Sequence, residues 1–197
     1  MEQQVSEFAA TAARLIVDEG LEYGNAKQQA ARQLGLGSRT PWPDNDEVEQ
    51  AVREHIALFA SDTQPVELAA LRALALRWME RLAAFRPHLS GAAWRGTATK
   101  RSDLYVYLYC DDSKAAELSL IDQGLRYQAG SIQGKNGQAL DTLSLSVWSE
   151  ELNEHVGLHL LVVDHDDLRG ALKPDRQGRS LRGSLESLRR LVHDAAP

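Results

Sequence analysis

Hydrophobic residues recur at helical spacing through the first 85 positions of the chain. Residues three and four apart share one face of a helix, and the first such stripe consists of Phe8, Ala12, Leu15 and Ile16. The same spacing predicts helices over 25–35, 44–59 and 65–85. Asp44 followed by Glu47 is typical of a capping box at a helix start. We therefore expect a helical N-terminal region over residues 1–64, and a second region over 65–197.

The hydrophobic period changes after Pro87 from helical to strand-like. Within 103–109, Leu104, Val106 and Leu108 alternate with Asp103, Tyr105, Tyr107 and Tyr109, which predicts a strand with one apolar and one polar face. Further strands are predicted at 88–94, 125–131, 139–148 and 155–164, with a hairpin turn at Asn136-Gly137. Helical segments are predicted at 112–124, 165–172 and 184–193. The expected fold is α+β, with the N-terminal helices followed by a small mixed sheet and flanking helices.

Composition is that of a globular protein. Of 197 residues, 43% are hydrophobic and 25% are charged. The longest apolar runs, such as GLHLLVV, are too short to cross a bilayer, and the N-terminus lacks the pattern of a signal peptide. We therefore expect a cytoplasmic protein with no membrane partner. Cys110 is the only cysteine, which excludes an intramolecular disulfide and argues against a cysteine zinc site.

The charge of the chain is unevenly distributed. The net charge is −6, which argues against general nucleic-acid binding. The segment 169–190 holds seven basic and two acidic residues, so it is +5 and the remainder is −11. Arginines separated by glycines suit phosphate or carboxylate binding, although a solvated connector is the alternative interpretation. The segment 25–35, as the recognition helix of a helix-turn-helix, would offer only Lys27 and Arg32 as cations.

The stretch GTATKRSDLYVY, residues 96–107, is the main candidate for chemistry. A glycine with a neighbouring hydroxyl lets backbone amides and that hydroxyl approach phosphate oxygens. Carboxylates two residues apart on a strand share one face, as a pair of metal ions requires. Asp103 satisfies the first of these two positions, but Tyr105 occupies the second. The alternative is that Asp103 only caps a turn.

This order of elements resembles the nucleotidyltransferase superfamily. Its hallmark is a helix, a strand, Gly-Ser, and then Asp-x-Asp or Asp-x-Glu on the next strand, which corresponds here to residues 65–85, 88–95, Gly96-Thr97 and Ser102-Asp103-Leu104-Tyr105. The resemblance covers roughly 65–165. The chain is also similar to a group of stand-alone bacterial proteins with a helical N-terminus and a DDLRGAL…P…GR ending.

The resemblance implies a nucleotide triphosphate as ligand and Mg²⁺ as cofactor. Asp103 would be the catalytic residue and a metal ligand, and Gly96, Thr97 and Ser102 would contact the nucleotide. Arg179 and Arg182 would neutralise further phosphate charge from the same side of the sheet. The family's third carboxylate lies on a later strand, where this chain has Gly157 and His159 at the interior positions, so Asp141 is the candidate substitute.

Three functions remain open at this point. The first is nucleotidyl transfer to an unknown acceptor, and the second is a catalytically inactive protein that binds or senses a nucleotide. The third is a module whose N-terminal helices bind a protein partner. A metal site built on His155 and His159 is disfavoured, because four residues of strand place them about 13 Å apart.

Overall fold

A computed structural model describes residues 2–37, 40–133, 139–168, 178 and 180–194. Its helices are α1 (Glu2–Glu19), α2 (Tyr23–Gln33), α3 (Asn45–Phe59), α4 (Gln64–Arg81), α5 (Gly91–Arg95), α6 (Ala115–Asp122) and α7 (Leu185–Asp194). Its strands are β1 (His88–Ser90), β2 (Leu104–Cys110), β3 (Gln128–Gln133), β4 (Ala139–Ser149), β5 (Glu154–Asp164) and β6 (Arg182–Ser184). The mixed α+β class expected from the sequence is therefore confirmed. No helix within these residues is long and apolar enough for a membrane span.

The chain divides into two compact units. The helical unit consists of Met1–Leu68 and Thr97–Ser102, and the sheet unit consists of Ala69–Gly96 and Asp103–Pro197. The main boundary thus lies inside α4, four residues beyond the end of the expected helical region, 1–64. The return of 97–102 to the helical unit was not expected from the sequence.

The helical unit has its own hydrophobic core. α1 contacts both α2 and α3, and the buried apolar side chains include Phe8, Ala12, Leu15, Ile16, Ala26, Ala30, Val48, Val52 and Ile56. The capping box expected at α3 is confirmed: the Glu47 amide donates to the Asp44 carboxylate, and the Asp44 amide donates to the Glu47 carboxylate.

The segment 97–102 is held in the helical unit by hydrogen bonds to three parts of it. The Gln64 amide donates to the Ala98 carbonyl over 2.9 Å, and the Lys100 amide donates to the Glu67 carboxylate over 2.9 Å. The Thr99 hydroxyl donates to the Val17 carbonyl over 3.5 Å. A Cβ on Gly20 would overlap the Arg101 carbonyl, so this close approach requires glycine.

The sheet unit is built on six strands in the order β3-β4-β5-β2-β1-β6. β2 and β5 pair in parallel, and the other neighbours pair in antiparallel. On one face of the sheet the buried side chains are apolar, among them Leu104, Val106, Leu108, Leu143, Leu145, Leu158 and Leu160. The opposite face bears Asp103 and the tyrosines of β2, as the alternation predicts.

Two of the expected elements differ in the structure. The strand expected over 88–94 ends at Ser90, because Gly91 adopts a positive φ of 70° and starts the short helix α5. The helical turn expected over 165–172 is a 3-10 turn at His165–Asp167, and its later part lies outside the described residues, as does the hairpin turn at Asn136-Gly137. The three-residue strand β6 was not expected.

Candidate functional site

One row of side chains crosses the polar face of the sheet. The strand registers align Ser144 with His159, His159 with Tyr105, Tyr105 with Ser90, and Ser90 with Arg182. We call the residues Ser144, His159, Tyr105, Ser90 and Arg182 the polar row. They come from five different strands, so only the long-range register of the sheet brings them into line.

Asp103, immediately before β2, binds the middle of the polar row. Its Oδ2 atom lies 3.0 Å from Nε2 of His159, and Nδ1 of the same ring lies 2.9 Å from Oγ of Ser144. The hydrogen bond from His159, with a smaller contribution from the Gly157 amide, holds the pKa of Asp103 below its ordinary value, although partial burial acts in the opposite direction. Asp103 is therefore an ionised hydrogen-bond acceptor at neutral pH.

Gly157, on β5 beside Asp103, leaves room for the Asp103 carboxylate. A Cβ on Gly157 would overlap the carboxylate group of Asp103. The Gly157 amide also helps to lower the pKa of that carboxylate. No residue larger than glycine fits at position 157 while the Asp103 carboxylate stays where it is. An acidic residue at 157, which would supply the third carboxylate of the resembled superfamily, does not fit either.

Tyr105 occupies the place of the expected second carboxylate and stacks on His159. The two ring centroids are 4.9 Å apart, with an angle of 24° between the ring planes. A Cβ on Gly91 would lie 3.6 Å from the Tyr105 ring. The glycine that directly follows β1 and approaches the polar row is thus Gly91, and the residue after it is Ala92. The sequence reasoning overlooked Gly91, although it follows the strand residues His-Leu-Ser.

Arg182 closes the other end of the polar row. Its guanidinium carbon lies 3.4 Å from the centroid of the Tyr107 ring, and its Nη1 donates to the Tyr109 hydroxyl over 2.6 Å. Burial is the main cause that raises the pKa of Tyr109. His88 meets the Tyr109 ring edge-on, with 5.1 Å between the centroids. Arg182 therefore lies on the same sheet face as Asp103, and two tyrosines hold its guanidinium.

The predicted nucleotide-contacting residues Gly96, Thr97 and Ser102 precede Asp103, and the structure describes each of them. Gly96 has a φ of 86° and ends α5, where Arg72 donates to the carbonyls of Ala93 and Trp94 over 2.9 Å and 3.2 Å. Thr97 is buried, with 3% of its surface exposed. The Ser102 hydroxyl accepts from the Thr99 amide over 3.1 Å within a turn of the helical unit. Thr97 and Ser102 thus belong to that unit, whereas Gly96 and Asp103 belong to the sheet unit.

Asp141 does not join Asp103. It is three residues from Ser144 on the continuous strand β4 and pairs with Val162, so it lies on the opposite face of the sheet. There it lines a cavity of about 120 Å³ with Lys114, Glu117, Thr142 and Leu143, among others. The prediction that Asp103 and Asp141 bind one ion is therefore corrected. Within the described ranges, no three His, Cys, Asp or Glu side chains are grouped to hold a metal ion.

Arg179, the remaining predicted ligand-binding residue, lies outside the described residues. Sequence reasoning also missed Ser144, whose only signal was its position in the alternating run Leu-Ser-Leu-Ser-Val on β4. Comparisons of the chain with protein-family models, curated proteins and solved structures find no match. The candidate function therefore depends on the residues of the site and on the order of the elements that position them.

Proposed function

We propose that the sheet unit is a nucleotidyltransferase-like domain that binds a nucleotide without a catalytic magnesium pair. One observation is the main support: the Asp103 carboxylate is bound by His159 and lies directly against Gly157. These partners occupy the surroundings in which a transferase of the resembled superfamily places its metal ions and its other carboxylates. This is the second of the three functions that the sequence left open.

The order of elements supports the nucleotidyltransferase-like core. Helix α4 precedes β1, Gly91 directly follows that strand, and Asp103 lies immediately before the next strand, β2. If Gly91 takes the place of Gly96 as the glycine of the motif, the interval to Ser102-Asp103 is longer. Gly91 also approaches Tyr105, which stands at the position of the second carboxylate. The hydroxyl that follows the family's glycine is absent, because Ala92 takes that place.

Magnesium does not fit the residues around Asp103. The ion requires oxygen ligands in octahedral geometry, and Tyr105 offers a neutral phenol while His159 offers nitrogen. A single carboxylate that already accepts a hydrogen bond from His159 is a poor binding site for a small, strongly hydrated cation. Metal-dependent nucleotidyl transfer through Asp103 is therefore not proposed.

A nucleotide's negative charge still has a partner on this face. Arg182 lies at one end of the polar row, and the segment 169–190 to which it belongs has a charge of +5 in a chain of net charge −6. Guanidinium groups bind phosphate through paired, charge-assisted hydrogen bonds. The aromatic rings of Tyr105 and Tyr107 add surfaces against which a base can pack.

A calorimetric titration with ATP, with and without Mg²⁺, tests the proposal. We expect binding that is equal in both conditions, and a gain of about 2.7 kcal/mol in stability at about a hundred times the dissociation constant. The variant R182K is the matched control, because it keeps the charge but loses the planar fork. Release of pyrophosphate that requires Mg²⁺ would instead identify a transferase. No stabilisation by any nucleotide would reject nucleotide binding.

A second candidate function is protein interaction through the helical unit. Leu58, Phe59 and Val66 are 74%, 75% and 70% exposed, and they lie within nine residues at the end of α3 and the start of α4. Large exposed apolar side chains mark an interaction surface where they form one contiguous patch. We expect self-association of the chain in sedimentation analysis, weakened in F59S. A chain that stays monomeric at high concentration would contradict self-association through this surface.

A further inference from the structure

A hydrogen-bond chain runs from Ser144 through His159 to Asp103. The Ser144 hydroxyl is 2.9 Å from Nδ1 of the imidazole, and Nε2 is 3.0 Å from the Asp103 carboxylate. A hydroxyl, an imidazole and a carboxylate in this order form the arrangement that activates a serine in acyl-transfer enzymes. Nothing in the nucleotide-binding proposal requires the hydroxyl.

The proton positions in this chain follow from Asp103. An ionised carboxylate only accepts hydrogen bonds, so Nε2 of His159 must bear the proton that faces it. In the neutral imidazole, Nδ1 then has a free lone pair and accepts the hydroxyl proton of Ser144. The serine is thus the donor to a base that a carboxylate holds in the required tautomer.

We propose that Ser144 is a nucleophile toward carboxylic esters, with His159 as its general base and Asp103 as a positioning residue. Oγ attacks the ester carbonyl carbon while Nδ1 takes the hydroxyl proton. The carbon–alkoxide bond breaks, and the alkoxide leaves as an alcohol with the proton from Nδ1. Water then loses a proton to Nδ1 and attacks the acyl carbon. The bond from this carbon to Oγ breaks and Oγ takes the proton from Nδ1, which gives a carboxylic acid and free Ser144. Atoms and electrons balance with ester and water as the only reactants.

The three groups are accessible to a small reagent. The side chains of Asp103 and His159 are 46% and 24% exposed, and Ser144 is half-buried. Ser144 and His159 lie on the paired strands β4 and β5, which fix their separation, and Asp103 directly precedes β2, the other neighbour of β5. Sites on strands hold such geometry more accurately than sites on loops.

The same two strands offer a matched control. Ser146 lies two residues after Ser144 on the same face, and its hydroxyl is 3.2 Å from Nδ1 of His155. Among the residues that the structure describes, His155 has a ring contact with Trp148 but no carboxylate partner. Ser146 therefore has a serine–histidine pair without the acid on the same two strands, with His155 diagonal to it where His159 is directly opposite Ser144.

The test uses a fluorophosphonate reagent and the full chain without nucleotide. Attack by Oγ on phosphorus expels fluoride and leaves a stable adduct, which mass spectrometry locates by residue. We expect the adduct on Ser144 in the wild type and in S146A, and none in S144A. H159N should slow labelling by about a hundredfold and D103N by about tenfold or more, since base and tautomer are lost. Thermal unfolding of each variant confirms that it is folded.

Two further measurements separate positioning from structure. Hydrolysis of p-nitrophenyl acetate should follow the same order among the variants as labelling. The ¹⁵N shifts of the His159 ring should report the Nε2–H tautomer in the wild type and a mixture in D103N, whereas a purely structural role of Asp103 would leave the tautomer unchanged. The proposal is overturned by a wild type without adduct on Ser144, by equal labelling of Ser144 and Ser146, or by D103N labelling at the wild-type rate. Nucleotide binding would stand or fall separately, because no nucleotide is present.

Discussion

The two faces of the sheet use the same backbone for different purposes. Along β4 and β5, Leu145 and Leu158 are buried on one face, and the adjacent Ser144 and His159 point to the other. The apolar face buries whole side chains throughout, whereas the polar face places hydrogen-bonding groups in line beside a smaller buried cluster built on Tyr109 and Val163. Because the side-chain period of a strand is two, adjacent residues lie on opposite faces. One of them can contribute to stability while the next belongs to the candidate site. Substitutions on the two faces should therefore have separable effects.

The largest effect is expected on the apolar face. Leu158 is fully buried, so L158A should lower the free energy of unfolding by about 2–5 kcal/mol through lost burial and a cavity. The adduct at Ser144 should still form in the fraction that remains folded. Denaturant unfolding gives the first quantity and labelling gives the second. S146A, on the other face, should stay within about 0.5 kcal/mol of the wild type, and an equal loss in both variants would contradict the comparison.

The next largest effect is expected at Gly157 on the polar face, where the missing side chain leaves space for the Asp103 carboxylate. G157A places a methyl group against the Asp103 carboxylate, which should destabilise the chain by about 1–3 kcal/mol and separate Asp103 from His159. A double-mutant cycle with D103A measures the clash directly, since the combined variant should recover part of the stability. Additive losses in this cycle would show that Gly157 is needed for another reason.

A smaller loss is expected at the far end of the polar row. R182A removes the guanidinium from the Tyr107 ring and from the Tyr109 hydroxyl, and should lower stability by about 1–2 kcal/mol. Arg182 lowers the pKa of Tyr109 against the larger effect of burial, so its removal should move the alkaline titration of that tyrosine to higher pH. Ultraviolet absorbance follows this titration. An unchanged tyrosine titration in R182A would contradict the contact.

The smallest effect is expected at an exposed ion pair outside both faces. Arg77 binds Glu151 through two hydrogen bonds of 2.6 Å and 3.1 Å, which lowers the pKa of Glu151 from 4.5 to about 2. The unfolded chain binds this proton at higher pH than the folded chain, so the contribution is complete above pH 4.5 and disappears as the pH falls through about 2. At this exposure it amounts to about 1 kcal/mol or less. The difference in unfolding temperature between E151Q and the wild type should shrink steadily as the pH falls from 4.5 towards 2. A difference that is constant with pH would exclude the pair as its cause.

Sequence periodicity predicted the elements that are defined by local pattern. The capped start of α3 and the alternation along β2 follow from residues within a few positions of each other, and both are confirmed. The strand expected over 88–94 failed at Gly91, because Ala-Ala-Trp-Arg is compatible with strand or helix and the positive φ of the glycine decides between them.

The polar row was beyond local reasoning for a different reason. Asp103 and His159 are 56 residues apart, and their contact depends on the parallel pairing of β2 with β5, which no local pattern specifies. The predicted partner Asp141 was chosen for its residue type, and strand parity placed it on the opposite face. Gly96 and Thr97 were predicted from their similarity to a motif, but in the structure Gly96 ends a helix and Thr97 is buried in the helical unit.

The return of residues 97–102 to the helical unit has a consequence for how the chain is made. The chain passes between the two units at 68–69, 96–97 and 102–103, so neither unit is one continuous stretch of sequence. A ribosome releases Gln64, Glu67 and Val17 first, but their hydrogen-bonding partners in 98–100 follow only after residues 69–96 of the other unit. The helical unit therefore completes its folding while the sheet unit is already partly synthesised. Cutting the gene at the end of the helices would remove a piece from both units.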